Sequence, residues 1–102
     1  LLFQQLQLTP QDRETHYYYC VCLRYLARLS DAQSELETLL TRFPRFARGY
    51  QEIGYTFKAL NDQDKALSSF RTAVTLNDAL LGSWRALIEM TSKTYRPAIY
   101  DE

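Results

Sequence analysis

The chain has 102 residues, with 12 basic and 12 acidic side chains that cancel to a formal net charge of zero. That length is one domain's worth, and the charge balance removes the electrostatic reason to expect DNA, RNA or an anionic membrane as the main partner. No apolar run approaches the ~18 residues of a membrane span, and no basic-then-apolar leader opens the sequence.

The first stretch, LLFQQLQLTP, reads as a helix over 1–8, followed by Thr9-Pro10 as an N-cap and first helical position. A helix over 11–28 comes next, carrying Tyr17-Tyr18-Tyr19, His16, Cys20 and Cys22. The two cysteines lie two apart and point to nearly opposite sides of a helix. They read as free thiols, which favours a reducing compartment and a cytoplasmic location. Ser30 with Gln33 three residues on fits a capping box for a helix over 31–43, which Pro44 ends. The spacing of Tyr50, Ile53, Gly54, Phe57 and Leu60 marks one face of a helix over 47–60. A polar break at Asn61-Asp62-Gln63-Asp64 precedes the same spacing in Ala66, Leu67, Phe70, Ala73 and Val74, a helix over 64–76. Neither helix is long enough to be stable alone in water, so the two read as a helical hairpin. A last helix over 80–92 carries Trp84, Leu87 and Ile88. SKTYRPAIYDE contains Pro97 and lacks helical periodicity, so residues 93–102 read as a tail. The chain starts with Leu rather than Met, so it reads as a fragment or a processed chain.

Within 47–80 the large residues Tyr50, Ile53, Phe57 and Phe70 alternate with small ones at Gly54, Ala66 and Ala73, where two backbones would approach closely. This pattern resembles the tetratricopeptide repeat (TPR), a 34-residue helix–turn–helix unit. Of the family's signature W-L-G-Y-A-F-A-P, the stretch departs only at the last position, with Asp78 for Pro. A shift of 34 residues back lands on His16, Tyr19, Cys20, Leu23, Ala32, Leu36, Leu39 and Pro44, an earlier and weaker copy over 13–46. A further shift places Leu2, Leu6 and Pro10 on Leu36, Leu40 and Pro44, the end of an upstream repeat over 1–10. A shift forward puts Trp84, Leu87 and Ile88 on Tyr50, Ile53 and Gly54, the first helix of another repeat over 81–92. The resemblance implies an all-α fold, with TPR-like hairpins stacked as a short right-handed superhelical array. Such arrays bury each repeat against its neighbours, so the last helix is expected to leave some of Trp84, Leu87 and Ile88 uncovered, for the tail or a second copy of the chain to close.

The resemblance also implies a concave groove lined by the first helix of each hairpin. The positions concerned are Glu14, Tyr17, Val21 and Arg24; Arg48, Gln51, Tyr55 and Lys58; Gly82, Arg85, Glu89 and Ser92, with Tyr25 and Lys93 beside them. Four basic against two acidic residues, with two tyrosines, suit an extended and acidic peptide or protein segment. The TPR clamp that grips a chaperone's C-terminal carboxylate needs Lys and Asn where Tyr17 and Val21 stand, so that variant is not expected. The tail RPAIYDE is itself a candidate ligand for such a groove.

No Gly-rich phosphate loop, nucleophile elbow or zinc-protease signature is present, and neither a cofactor nor catalysis is expected. His16, Cys20 and Cys22 could form a metal or redox trio, but a closed zinc site wants four ligands, and packing already explains His16 and Cys20. The expected function is a non-catalytic protein-interaction module. A second resemblance, carried by FPRFARGYQEIGYTFKAL and ALLGSWRALIEM, is to the repeat region that precedes the catalytic domain in some bacterial TPR-containing sulfotransferases. It implies a larger parent enzyme using the sulfate donor PAPS.

Overall fold

The computed structural model describes the backbone of residues 12–100 and the side chains of residues 12–92. Five helices follow one another, with no strand among the described residues: α1 (Arg13–Tyr25), α2 (Leu29–Arg42), α3 (Ala47–Ala59), α4 (Gln63–Leu76) and α5 (Leu81–Tyr100). Each packs on the next in the chain, and α1 also touches α3. The result is a row of hairpins whose first helices stand side by side. The expected helix over 1–8 and the Thr9-Pro10 cap lie outside the described residues.

The 34-residue period is written into the backbone hydrogen bonds. At the first hairpin turn the amides of Leu26, Ala27 and Arg28 donate to the carbonyls of Cys22, Arg24 and Leu23. At the second, Leu60, Asn61 and Asp62 donate to Thr56, Lys58 and Phe57, each pair displaced by 34. The residue that reverses the chain is left-handed in both turns, Ala27 at φ 62° and Asn61 at φ 64°. Asn tolerates that conformation and Ala does so at a cost. This placement corrects the expected helix over 11–28, which stops at Tyr25. It also corrects the capping box: with Ala27 turning the chain, α2 begins at Leu29 with Arg28 as an N-cap that makes no side-chain bond. Gln33 instead donates from Nε2 to Glu37 one turn on, at 3.1 Å. The caps that do form are Asp12, accepting from the amides of Glu14 and Thr15, and Asp62, accepting from that of Lys65.

The junctions between hairpins repeat in the same way. Phe46 and Leu80 donate to Phe43 and Asn77. The Tyr50 hydroxyl donates to the Pro44 carbonyl at 2.9 Å, and Trp84 Nε1 donates to that of Asp78 at 2.8 Å. What this position supplies is its carbonyl, so Asp78 does the same bonding as Pro44.

The core is continuous across the repeats. Cys20, Leu36 and Leu39 of the first hairpin join Ile53, Phe57, Ala66 and Phe70 of the second and Ala86, Leu87 and Met90 of α5. Within it α3 and α4 come close at Gly54: a Cβ there would stand 2.7–2.9 Å from three carbons of the Phe70 ring. Cys20 fills the same position one repeat earlier and is fully buried. One repeat later Ile88 is 60% exposed and Trp84 is also exposed, while Leu87 is buried.

α5 runs on to Tyr100, where a tail was expected from residue 93. Nothing between Gly82 and Tyr100 supplies the Gly or Asn that commonly ends a helix in a left-handed residue. Pro97 lacks an N–H and clashes with the preceding turn, which costs a helix interior about 3 kcal/mol, yet it does not end this one.

Two outcomes follow from this packing. Gly54→Ala gains helix propensity but drives a methyl into the Phe70 ring, so it should lower stability in urea titration by about 1–3 kcal/mol. At pH 8 a thiol reagent should label the exposed Cys22 and spare the buried Cys20, whose thiol burial pushes up to about 12. Intact mass should show one adduct in native buffer and two in denaturant.

Candidate functional site

The inner surface is formed where α1, α3 and the start of α5 lie side by side. Its centre is Arg24, at the last turn of α1. Its guanidinium bonds Glu52 of α3 through Nε and through Nη2, the latter at 3.4 Å. The same guanidinium lies 4.7 Å from the ring centre of Tyr25 and 5.0 Å from that of Tyr55. Glu52 is only 3% exposed. Burial pushes its carboxyl above the ordinary value, with Arg24's hydrogen bond and charge pulling the other way. For Arg24, burial works against the charge, but the bond and charge of Glu52 win and hold it firmly protonated.

A second bridge joins the same two helices. Arg48 Nη2 of α3 donates to Glu14 Oε1 of α1 at 2.6 Å, and Arg13 donates to the other oxygen of Glu14. Burial acts to raise the Glu14 carboxyl, yet the two arginines prevail and hold it below its usual range. Arg48 also lies 4.9 Å from the ring of Tyr17, which meets Phe46 edge-on.

The α3–α5 seam is built differently. Gly82 occupies the place that Glu14 and Arg48 hold in the earlier repeats. A Cβ there would sit 2.4 Å from the Tyr55 hydroxyl and 3.0 Å from Gln51 Oε1, so the missing side chain lets both come down onto α5. Ser83 then donates to Gln51 Oε1 at 2.8 Å. Tyr55 meets Phe70 edge-on, and burial raises the phenols of Tyr17 and Tyr55, which keeps both as neutral donors. Lys58 and Glu89 pair at 3.8 Å.

Of the residues named from sequence, Tyr17 and Arg48 meet beside Glu14, Arg24 and Tyr55 meet beside Glu52, and Gln51 is bonded by Ser83. Tyr25, exposed, lies under Arg24; Arg85 is exposed, Glu89 is exposed and pairs with Lys58, and Val21 is half-buried in α1. The expected surplus of positive charge is largely spent inside the protein: Arg24, Arg48 and Lys58 each hold an acidic partner, and Arg85 has no ion pair among the described residues. Sequence reasoning missed Glu52, Arg13 and Phe46. Glu52 stands where the neighbouring repeats carry Tyr18 and Ala86, so no repeat position announces it. The one available signal is its spacing of 28 from Arg24, which runs from the last turn of one first helix to the second turn of the next.

The candidate metal trio is dispersed. Cys20 is buried between helices, Cys22 is exposed, and His16 Nε2 lies 2.8 Å from Glu35 Oε1. Among the described residues no group of three or more His, Cys, Asp or Glu is placed to hold a metal, and no helix is long and apolar enough to cross a membrane.

No family model matches the chain, and no curated protein matches it in sequence. Among solved structures it superposes on YrrB, described as a TPR protein with an unusual peptide-binding site, with a TM-score of 0.79. The identity is 21%, over 83% of this chain and 44% of that one, so the chain spans less than half of YrrB. At that identity the likeness shows the fold: a TPR-like array of helical hairpins, in line with the 34-residue period of the backbone bonds.

Glu52 gives a stability test. Glu52→Ala strands the Arg24 charge and should cost about 3 kcal/mol or more; Glu52→Gln keeps an acceptor without the desolvation of a charge, so it should be close to wild type in acid and no less stable at neutral pH. Because the folded-state carboxyl is raised, its stabilising contribution is complete below the unfolded value and is lost as pH rises through the folded one. Wild-type stability relative to Glu52→Gln should therefore fall between acid and neutral pH in paired denaturant titrations.

Proposed function

We propose that this chain is a non-catalytic protein-interaction module that holds an extended peptide against the inner surface of α1, α3 and α5. The observation that carries the reading is that Arg24, Arg48 and Gln51 are fixed before any ligand arrives by Glu52, Glu14 and Ser83, with the rings of Tyr55 and Tyr17 against the two arginines. Side chains already held in place cost little ordering entropy on binding. Tyr25, 76% exposed and stacked under Arg24, offers an aromatic face at the open edge, where a ligand gains most from an amphipathic ring.

The ion pairs refine the partner. With Arg24, Arg48 and Lys58 neutralised internally, recognition would run through ring faces and hydrogen bonds, and an acidic residue of the ligand would have Arg85 as its natural counter-charge. Peptide binding by YrrB is consistent with this reading. A parent sulfotransferase rests on repeat-type sequence alone, and no comparison supports it. Self-association through α5 is a further proposal, for which exposed Leu81, Trp84 and Ile88 would provide the apolar contact.

The test is selection from a random peptide library, followed by calorimetry on the winning sequence. Tyr25→Ala and Arg85→Glu, both at exposed positions, should each weaken binding by about tenfold, with helicity unchanged by circular dichroism. Arg71→Ala, at an exposed position of α4, should bind as wild type. Equal losses in all three variants, or in none, would count against the inner surface.

A further inference from the structure

The residue that opens the first helix of a repeat makes the same bond at both described junctions. Tyr50 donates its hydroxyl to the carbonyl of Pro44, and Trp84 donates Nε1–H to that of Asp78, in each case six residues back. The backbone beneath matches: the amides of Tyr50 and Trp84 donate to the carbonyls of Phe46 and Leu80, four residues back. One repeat earlier stands His16. Its amide donates to the Asp12 carbonyl at 3.0 Å in the same way, and six residues before it is Pro10.

The side chain of His16 is 4% exposed. Its Nε2 lies 2.8 Å from Glu35 Oε1 of α2, and a carboxylate only accepts, so Nε2 carries a proton. Its Nδ1 is buried and has no hydrogen-bond partner among the described residues, a costly state for a polar atom. Eleven residues precede Asp12. The 34-residue register that sets Leu6 on Leu40 and Pro10 on Pro44 brings the Pro10 carbonyl to this nitrogen. The pattern for the contact is α2 on α3, where Pro44 accepts from Tyr50 and Leu40 lies so close to Gly49 that a Cβ there would stand 2.8 Å from its Cδ2.

A tyrosine hydroxyl or an indole N–H donates whatever the pH between 5.5 and 8. An imidazole that faces acceptors on both sides donates from both nitrogens only as the imidazolium. We propose that His16 is a proton-dependent latch for the first ten residues: its ring donates Nε2–H to Glu35 and Nδ1–H to the carbonyl of Pro10, and so holds that segment against α1 as α2 is held against α3. Loss of one proton removes one of the two bonds and loosens the segment. The other titratable groups around the ring do not mimic this. Asp12, one turn before, is held below its usual range by its bonds to Thr15. Tyr19 and Cys20, one turn after, are both raised by burial, the thiol to about 12. Glu52 of α3 acts on Cys20 but is bonded to Arg24.

The experiment is hydrogen–deuterium exchange of the full chain read by mass spectrometry at pH 5.5 and at pH 8, each amide being compared with its unstructured rate at the same pH. Residues 2–9 should be protected at pH 5.5 and lose that protection by about tenfold at pH 8, the weight of one hydrogen bond from a charged donor, while α3 and α4 keep theirs. His16→Tyr supplies the hydroxyl that Tyr50 carries and should leave the segment equally protected at both values. His16→Phe, with a ring but no donor, should lose the protection at both. Residues 2–9 unprotected at either pH in the wild type would overturn the proposal, and so would protection indifferent to pH. An equal pH-dependent loss in His16→Tyr would overturn it as well, because the titrating group would then be another, Glu35 or Glu52 first.

Discussion

The contact on which the architecture depends is the Phe70 ring lying directly on the backbone of Gly54. No side chain fits between them, so α3 and α4 close to the distance that lets Ile53, Phe57, Ala66 and Ala73 share one core. Because α3 is held that closely on one side, its opposite side is left to face α1 and α5. There the chain places polar side chains such as Arg48 and Gln51. Cys20 holds the same position in the first hairpin and is fully buried. Ile88, one repeat later, is not, and its exposed side chain marks where the repeat pattern changes.

The polar seam has its own logic. Arg24 to Glu52 spans 28 residues, Glu14 to Arg48 spans 34 and Lys58 to Glu89 spans 31, so each pair bridges one first helix and the next. A buried pair such as Arg24–Glu52 is weak as a source of net stability, since desolvation offsets much of its attraction. Its more plain effect is positional. It orients a guanidinium against two tyrosine rings, and it removes positive charge that an acidic ligand would otherwise meet.

How much of this could be read in the sequence depends on how local each feature is. The hairpin of α3 and α4 was legible because its large and small residues follow helical spacing, and the weaker copy followed by shifting the sequence onto itself. Tyr17, Arg24, Arg48 and Tyr55, which meet in pairs across the α1–α3 seam, were reachable through repeat positions. Turn chemistry was less legible: Ser30 and Gln33 look like a capping box, but the left-handed residue at Ala27 decides where α2 starts, and Ala carries no such signal. Pro97 suggested a stop that α5 does not make. Glu52 was hidden because its partner lies 28 residues away on another helix. The pairing of Arg24, Arg48 and Lys58 with acidic partners was hidden for the same reason, because pairing across helices is a property of the stacked array.

A crystal structure of the chain with a peptide selected from a random library tests the central claim most directly. The peptide is expected to lie extended along α1 and α3, touching Tyr25 and Tyr55, with the Arg24–Glu52 and Glu14–Arg48 bridges unchanged from the free protein. A ligand seated on the outer faces of α2 and α4, or one that breaks those bridges on binding, would contradict a surface arranged in advance.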